Sequence, residues 1–163
     1  KCSRARAAVG VACEYIDMHT AIHRRVEQLR ADRDPTLIAR LPSGWAVFGE
    51  RQFLRGYALL LPDPVVPDLN ALEGAAREQF LIDMTRLGDA LLAETGALRI
   101  NYAMFGNQEP ALHAHVVPRY RDEVPELATA HPWAYDWAAA PLWRDADLEV
   151  LRTRLRTRLL DPT

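Results

Sequence analysis

The sequence predicts an α+β fold: a mainly antiparallel sheet, one long helix packed on it, and helical additions at both ends. Three observations carry this. Short apolar or alternating runs recur between turn residues, the pattern of strands. One long stretch, 72–95, repeats apolar side chains at helical spacing. Two strand-like runs, 98–104 and 111–117, are separated by a loop too short for a parallel crossover.

Taken in order, residues 4–31 read as a helix free of proline, with Ala12, Ile16, Ile22, Val26 and Leu29 at roughly helical spacing. His19 and His23 stand four residues apart on it, the spacing of a two-histidine metal face, but Arg24, Arg25 and Glu27 around them favour a solvated surface. Asp34-Pro35 breaks the helix. Residues 37–41 and 45–48 then read as two strands around the turn signal Pro42-Ser43-Gly44. The run 56–62, apolar on both faces and closed by proline, reads as a buried central strand. The proline-rich segment 62–67 is a rigid connector.

In the helix over 72–95, Phe80, Met84, Leu87 and Leu91 form the core stripe, with Arg77, Asp83 and Arg86 expected away from it, and Gly96 is placed to end it. An alternating strand, 98–104, follows, and the loop 105–110 leads into the stretch 109–120. There Leu112, Ala114 and Val116 share one face, while Ala111, His113, His115 and Val117 share the other. Pro118, with no N–H, is expected to end the ladder. Beyond Tyr120 the chain is polar and proline-punctuated, then aromatic, with Trp133, Tyr135, Trp137 and Trp143. Such tryptophans stack a nucleobase, pack a tail onto its domain or build a dimer interface. A final helix, about 145–160, carries Leu148, Leu151, Leu155 and Leu159 on one face and arginines on the rest.

The 163 residues suit a single domain. A net charge of −2 gives no bulk argument for a nucleic-acid or membrane partner. No apolar run approaches the ~20 residues that span a bilayer. Cys2 and Cys13 form neither a metal-like spacing nor a disulfide framework, which fits a reducing cytoplasm.

His113 and His115, two of five histidines, are the strongest chemical signal. Imidazole serves as nucleophile, acid or base, phosphate donor or metal ligand. A metal site needs further ligands, for which Glu109 and His131 are the candidates, but no second ligand motif supports them. For phosphoryl or nucleotidyl transfer the pair suffices: one imidazole attacks phosphorus while a protonated neighbour and backbone N–H groups neutralise the oxygens. The alternative is that both rings decorate a polar sheet face.

The stretch 101–119 resembles the histidine triad (HIT) family of nucleotide hydrolases and transferases, whose members carry an Asn or Gln, a Gly/Gln-rich loop, then His-φ-His-φ-His-φ-φ, often followed by Pro-Arg. This chain has Asn101, Gly106-Asn107-Gln108, Ala111-Leu112-His113-Ala114-His115-Val116-Val117 and Pro118-Arg119. Gly56-Tyr57 followed by an apolar run and Pro62 is similar to the family's Gly-His strand. The resemblance covers about 37–120, which it makes the domain's core, with the helix about 4–31 and the segment about 121–160 as additions.

The resemblance implies that His113 attacks the α-phosphorus to form a nucleotidyl-histidine intermediate, its other nitrogen held by a backbone carbonyl. It implies that His115 contacts phosphate oxygens and that Asn101 and Gln108 contact phosphate or leaving group. Glu50 falls where ribose hydroxyls are held, and Phe48 where a base pocket is lined. Two positions depart from the pattern: Ala111 stands at the first triad position and Tyr57 replaces the histidine after Gly56. The expectation is a cytoplasmic homodimer that acts on nucleotides or their conjugates through His113, with no cofactor, metal, nucleic acid or membrane partner. The alternatives are a non-catalytic nucleotide-binding or interaction protein on the same scaffold, and a metal-dependent enzyme using both histidines.

Overall fold

The structure, a computed structural model, describes residues 19–143 and 146–161. Its strands are β1 (Leu37–Leu41), β2 (Gly44–Phe48), β3 (Ala58–Pro62), β4 (Arg99–Ala103) and β5 (Ala114–Arg119). Its helices are α1 (Ala21–Arg30), α2 (Gly74–Thr95), a short α3 (Pro125–Ala128) and α4 (Ala146–Leu160). The strands form one antiparallel sheet in the order β1-β2-β3-β5-β4. This is the α+β architecture the sequence predicts.

Alternation along the strands sends side chains to two apolar layers. On one face Ala46, Phe48, Ala58, Leu60, Ala114 and Val116 meet Phe80, Leu87 and Leu91 of α2 and Leu148, Leu151, Leu155 and Leu159 of α4. Each fully buried Phe or Leu here contributes about 2 kcal/mol. Gly96 ends α2 in the left-handed region at φ 71°, a conformation glycine adopts more readily than residues with a Cβ. On the other face Val47, Leu59, Leu61, Ala111 and Val117 meet Ile22, Val26 and Leu29 of α1. The Arg25 guanidinium ties α1 to the start of β1 and the end of β2, bonding Asp34, Thr36 and the Phe48 carbonyl at 2.9, 2.6 and 2.7 Å.

Four details differ from the sequence reading. The first helix does not run through residue 20: Thr20 is an extended N-cap whose hydroxyl accepts from the His23 amide. The part of that prediction over 4–18, with Cys2, Cys13, Ala12 and Ile16, lies outside the described residues. Strand β5 starts only at Ala114 and runs through Pro118, which pairs with Ile100 of β4. Pairing with β3 stops at Ala58↔Val116, so no β3 partner is denied an N–H at Pro118. Asp83 is fully buried rather than turned away from the core, because its carboxylate accepts from the Ser43 amide at 2.8 Å and the Ser43 hydroxyl at 2.7 Å, clamping the β1–β2 turn onto α2. Among the described residues no helix is long and apolar enough to cross a membrane.

Candidate active site

His113 and His115 sit at the mouth of β5 on the α1 side of the sheet, and their rings meet edge to face at 4.8 Å between centroids. The His113 Nδ1 lies 2.8 Å from the Ala111 carbonyl oxygen. A carbonyl only accepts, so Nδ1 must carry the hydrogen, and in the neutral ring Nε2 then keeps its lone pair. That is the state a nucleophilic imidazole requires.

His115 is held from the other side. The Tyr57 hydroxyl stands 2.6 Å from its Nδ1, with the two rings nearly parallel at 5.9 Å. Burial pushes the Tyr57 phenol well above its usual range, so it stays protonated, and among the described residues its hydroxyl has no other partner. The hydroxyl therefore donates to Nδ1, which leaves the hydrogen of His115 on Nε2. Burial, with the charge of His113 adding, pushes the His115 imidazole down to about 3. His115 is thus neutral at physiological pH, and what it offers is a hydrogen bond, not the positive charge expected of a protonated neighbour.

Tyr57 is placed by its own loop. The buried Gln52 side chain donates to the carbonyls of Gly49 and Tyr57 at 2.8 and 2.9 Å and accepts from the Gly56 amide at 2.8 Å. Gly49 leaves room for the ring, since a Cβ there would fall 2.2 Å from Tyr57 ring carbons. Phe53 and Trp137 pack on the same ring at 4.8 and 5.3 Å.

A cavity of about 360 Å³ opens over the two imidazoles, lined by Phe105, the 106–109 loop, His113, His115, His131 and Trp133. Trp133 crosses His115 edge to face at 4.8 Å, and Phe105 lies 4.9 Å from Trp133. Phe105 remains 49% and Trp133 38% exposed, so both are accessible from the cavity they line. The Glu109 carboxylate accepts from the Ile22 amide at 3.1 Å, at the N-terminus of α1. Burial works against its charge, but the bonds from Thr20, Ile22 and Ala21 and the charge of His113 outweigh it and hold it below the usual carboxylate range.

The cavity's far wall is hung from β5 by Arg119. Its buried guanidinium bonds the Glu123 carboxylate, Asn101 Oδ1 and the carbonyls of Leu127, Ala128 and Ala130, all between 2.8 and 3.1 Å. It thereby closes the end of α3 and fixes the segment that carries His131 and Trp133.

Of the residues expected from sequence, the fold brings His113, His115, Gln108 and, through its bond to His115, Tyr57 together. Asn101 is on the same face of the sheet but is engaged by Arg119 and borders an adjoining cavity of about 840 Å³. Phe48 points to the opposite face and is fully buried against α2, away from any base pocket. Glu50 is an exposed loop residue outside the cavity lining. The sequence offers His131 only as a candidate metal ligand, and Trp133 only as part of an aromatic tail. The two histidines weighed as a metal face do other things: His19 bonds Glu27 and His23 bonds the Thr20 hydroxyl. Among the described residues no group of three or more His, Cys, Asp or Glu is placed to hold a metal ion.

No family model matches the sequence, and no curated protein matches it. Solved structures do. A histidine triad protein from Marinobacter aquaeolei is similar over 88% of this chain and 98% of its own, at 15% identity and a TM-score of 0.70. One from Bradyrhizobium japonicum is similar over 80% and 94%, at 25% identity and a TM-score of 0.64. A hypothetical histidine triad nucleotide-binding protein from Sulfolobus tokodaii is similar over 83% and 91%, at 10% identity and a TM-score of 0.64. The fold is HIT-like.

Proposed function

We propose that this HIT-like chain is a nucleotide hydrolase or nucleotidyltransferase acting at the α-phosphate, with His113 as nucleophile. The observation that carries the reading is the 2.8 Å bond from His113 Nδ1 to the Ala111 carbonyl, which leaves the Nε2 lone pair free on a ring that lines the cavity. The Nε2 pair attacks phosphorus, the bond to the leaving group breaks, and a nucleotidyl-imidazole forms. Water or a second acceptor then attacks the same phosphorus, and the P–N electron pair returns to Nε2. His115, with Tyr57 fixing its tautomer, donates from Nε2 to a phosphate oxygen, and the Gln108 amide is the second polar contact. Asn101 supports the site through Arg119.

The same reading takes the described residues as one HIT-like unit in the cytoplasm. It pairs two copies through β4, the edge strand next to β5, where Tyr102 is exposed.

A non-catalytic nucleotide binder is the second reading, and Ala111 is the observation that favours it: the first triad position holds a fully buried methyl group and no imidazole. Product analysis separates the two. Incubation with nucleoside phosphoramidates, dinucleoside polyphosphates and nucleotide sugars should release a nucleoside monophosphate or a transferred nucleotide, and His113→Ala should abolish it. Nucleotides that raise the melting temperature with no turnover of any of these compounds would instead support the binder.

A further inference from the structure

We propose that the groove over β4 seats the leaving half of the substrate, and that it takes a half carrying an anion of its own, a phosphate or a carboxylate. The inference rests on the nucleotidyl-transfer reading above and names the class of compound that reading leaves open.

Strand register puts the groove beside the imidazoles. Paired residues of neighbouring strands share a face, and Ala103, Asn101 and Arg99 of β4 pair with His115, Val117 and Arg119. These three side chains therefore form a row on the His115 side of the sheet. At about 3.4 Å per residue the row runs about 7 Å from Ala103 to Asn101 and about 14 Å to Arg99. All three line the cavity of about 840 Å³, and His131 and Trp133 line both it and the smaller cavity over His113 and His115.

Toward β3 the same face is covered by protein. Leu59 and Leu61 lie under α1, and Phe53 and Trp137 pack on Tyr57. Beyond them the C-terminal segment is laid along the 50–52 loop. The Gln52 amide donates to the Pro141 carbonyl at 2.8 Å, and the Trp143 amide to the Glu50 carbonyl at 3.1 Å. The Arg51 guanidinium holds the carbonyls of Ala138 and Ala140, both at 3.0 Å. A substrate that reaches past the imidazoles thus extends over β4.

The free groups along the groove suit an anion. Arg99 and Arg121 line it, both are exposed, and neither guanidinium has an ion-pair or hydrogen-bond partner among the described residues. Asn101 Oδ1 accepts from Arg119 at 3.0 Å. A guanidinium only donates, so this bond fixes which way the amide is turned, and Nδ2 keeps both hydrogens unpaired among the described residues. The one carboxylate of the lining, Glu123, is paired with Arg119 and its side chain is only 3% exposed. The Tyr120 hydroxyl is spent on the Arg55 carbonyl. A nucleoside carries no charge, and its base suits the Phe105 and Trp133 rings of the smaller cavity. Two free guanidiniums and an oriented N–H donor suit a phosphate or carboxylate on the other half. The groove adds binding and no covalent step: the anion stays seated while the bond from phosphorus to the leaving atom breaks.

The test uses three amidates of one nucleoside monophosphate, made with an aminoalkyl phosphate, an ω-amino acid and an alkylamine of equal chain length. For at least one anionic tail, kcat/KM should exceed that of the alkylamidate by about tenfold or more. The better of the two tails identifies the anion, and its advantage should shrink at about 1 M salt. Arg99→Gln combined with Arg121→Gln should lower kcat/KM on the preferred anionic substrate by about tenfold more than on the alkylamidate, chiefly through KM. Equal kcat/KM on all three, or a preference that the double variant keeps, would overturn the subsite while leaving His113 in place. No turnover of any of them by the unaltered protein would overturn the nucleotidyl-transfer reading and the subsite with it. Both arginines are exposed, so the double variant should fold, and an unchanged thermal transition checks that it does.

Discussion

The Tyr57 hydroxyl stands 2.6 Å from Nδ1 of His115, and the two rings lie nearly parallel. With no other partner for its hydrogen among the described residues, the buried phenol donates here, and so sets the tautomer of a neutral histidine without adding charge. Tyr57 thus supplies an oriented donor at His115.

Removing that hydroxyl tests the pairing. Tyr57→Phe keeps the ring between Phe53 and Trp137 but leaves His115 Nδ1 buried and unbonded. Urea unfolding should show a loss of about 1–2 kcal/mol. If His115 serves phosphate, kcat should fall about tenfold or more as its Nε2–H loses direction.

His115 also makes stability depend on pH. In the unfolded chain its imidazole takes up a proton as pH falls through 6.5, whereas in the fold it does so only at about 3. Between those values the unfolded state binds more protons, so stability is full above 6.5 and falls as pH drops, with a slope of at most about 1.4 kcal/mol per pH unit. Asp34, Asp63, Glu109 and Glu123, all held low, lose their contribution only further down. Urea midpoints between pH 6.5 and 5 should therefore decline in the natural protein and flatten in His115→Asn.

The buried Asp83 predicts a purely structural loss. Asp83→Ala strips both Ser43 donors of their acceptor and should cost about 1–3 kcal/mol. The measurement is the urea midpoint, with activity per folded molecule unchanged.

Arg119 should matter through geometry. Arg119→Lys retains charge but not the planar fork that reaches Glu123, Asn101 and three carbonyls at once. Hydrogen exchange over 124–137 should speed up while β1–β3 stay protected, because only the segment hung from Arg119 is released.

Much of this was legible in the chain. The stripe Phe80, Met84, Leu87, Leu91 announces its burial by its helical period, and β3 by a short apolar run closed by proline. Strand alternation placed His113 and His115 on one face. What escaped depends on contacts distant in sequence. Asp83 reads as a solvated helix position until Ser43, forty residues earlier, arrives to bond it. The resemblance assigns Phe48 to a base pocket, but strand parity turns it to the α2 face. His131 enters the cavity only because Arg119 holds Ala130, and no local pattern encodes that hydrogen bond.

The most direct test of the central claim is to trap the covalent intermediate. The protein, mixed with a nucleoside phosphoramidate, is quenched in alkaline denaturant, where a phosphoramidate bond survives, digested and read by mass spectrometry. The account predicts a nucleotidyl adduct on His113, labile to acid and absent from His113→Ala along with all turnover. Turnover that persists in His113→Ala, or an adduct on any other residue, would contradict it.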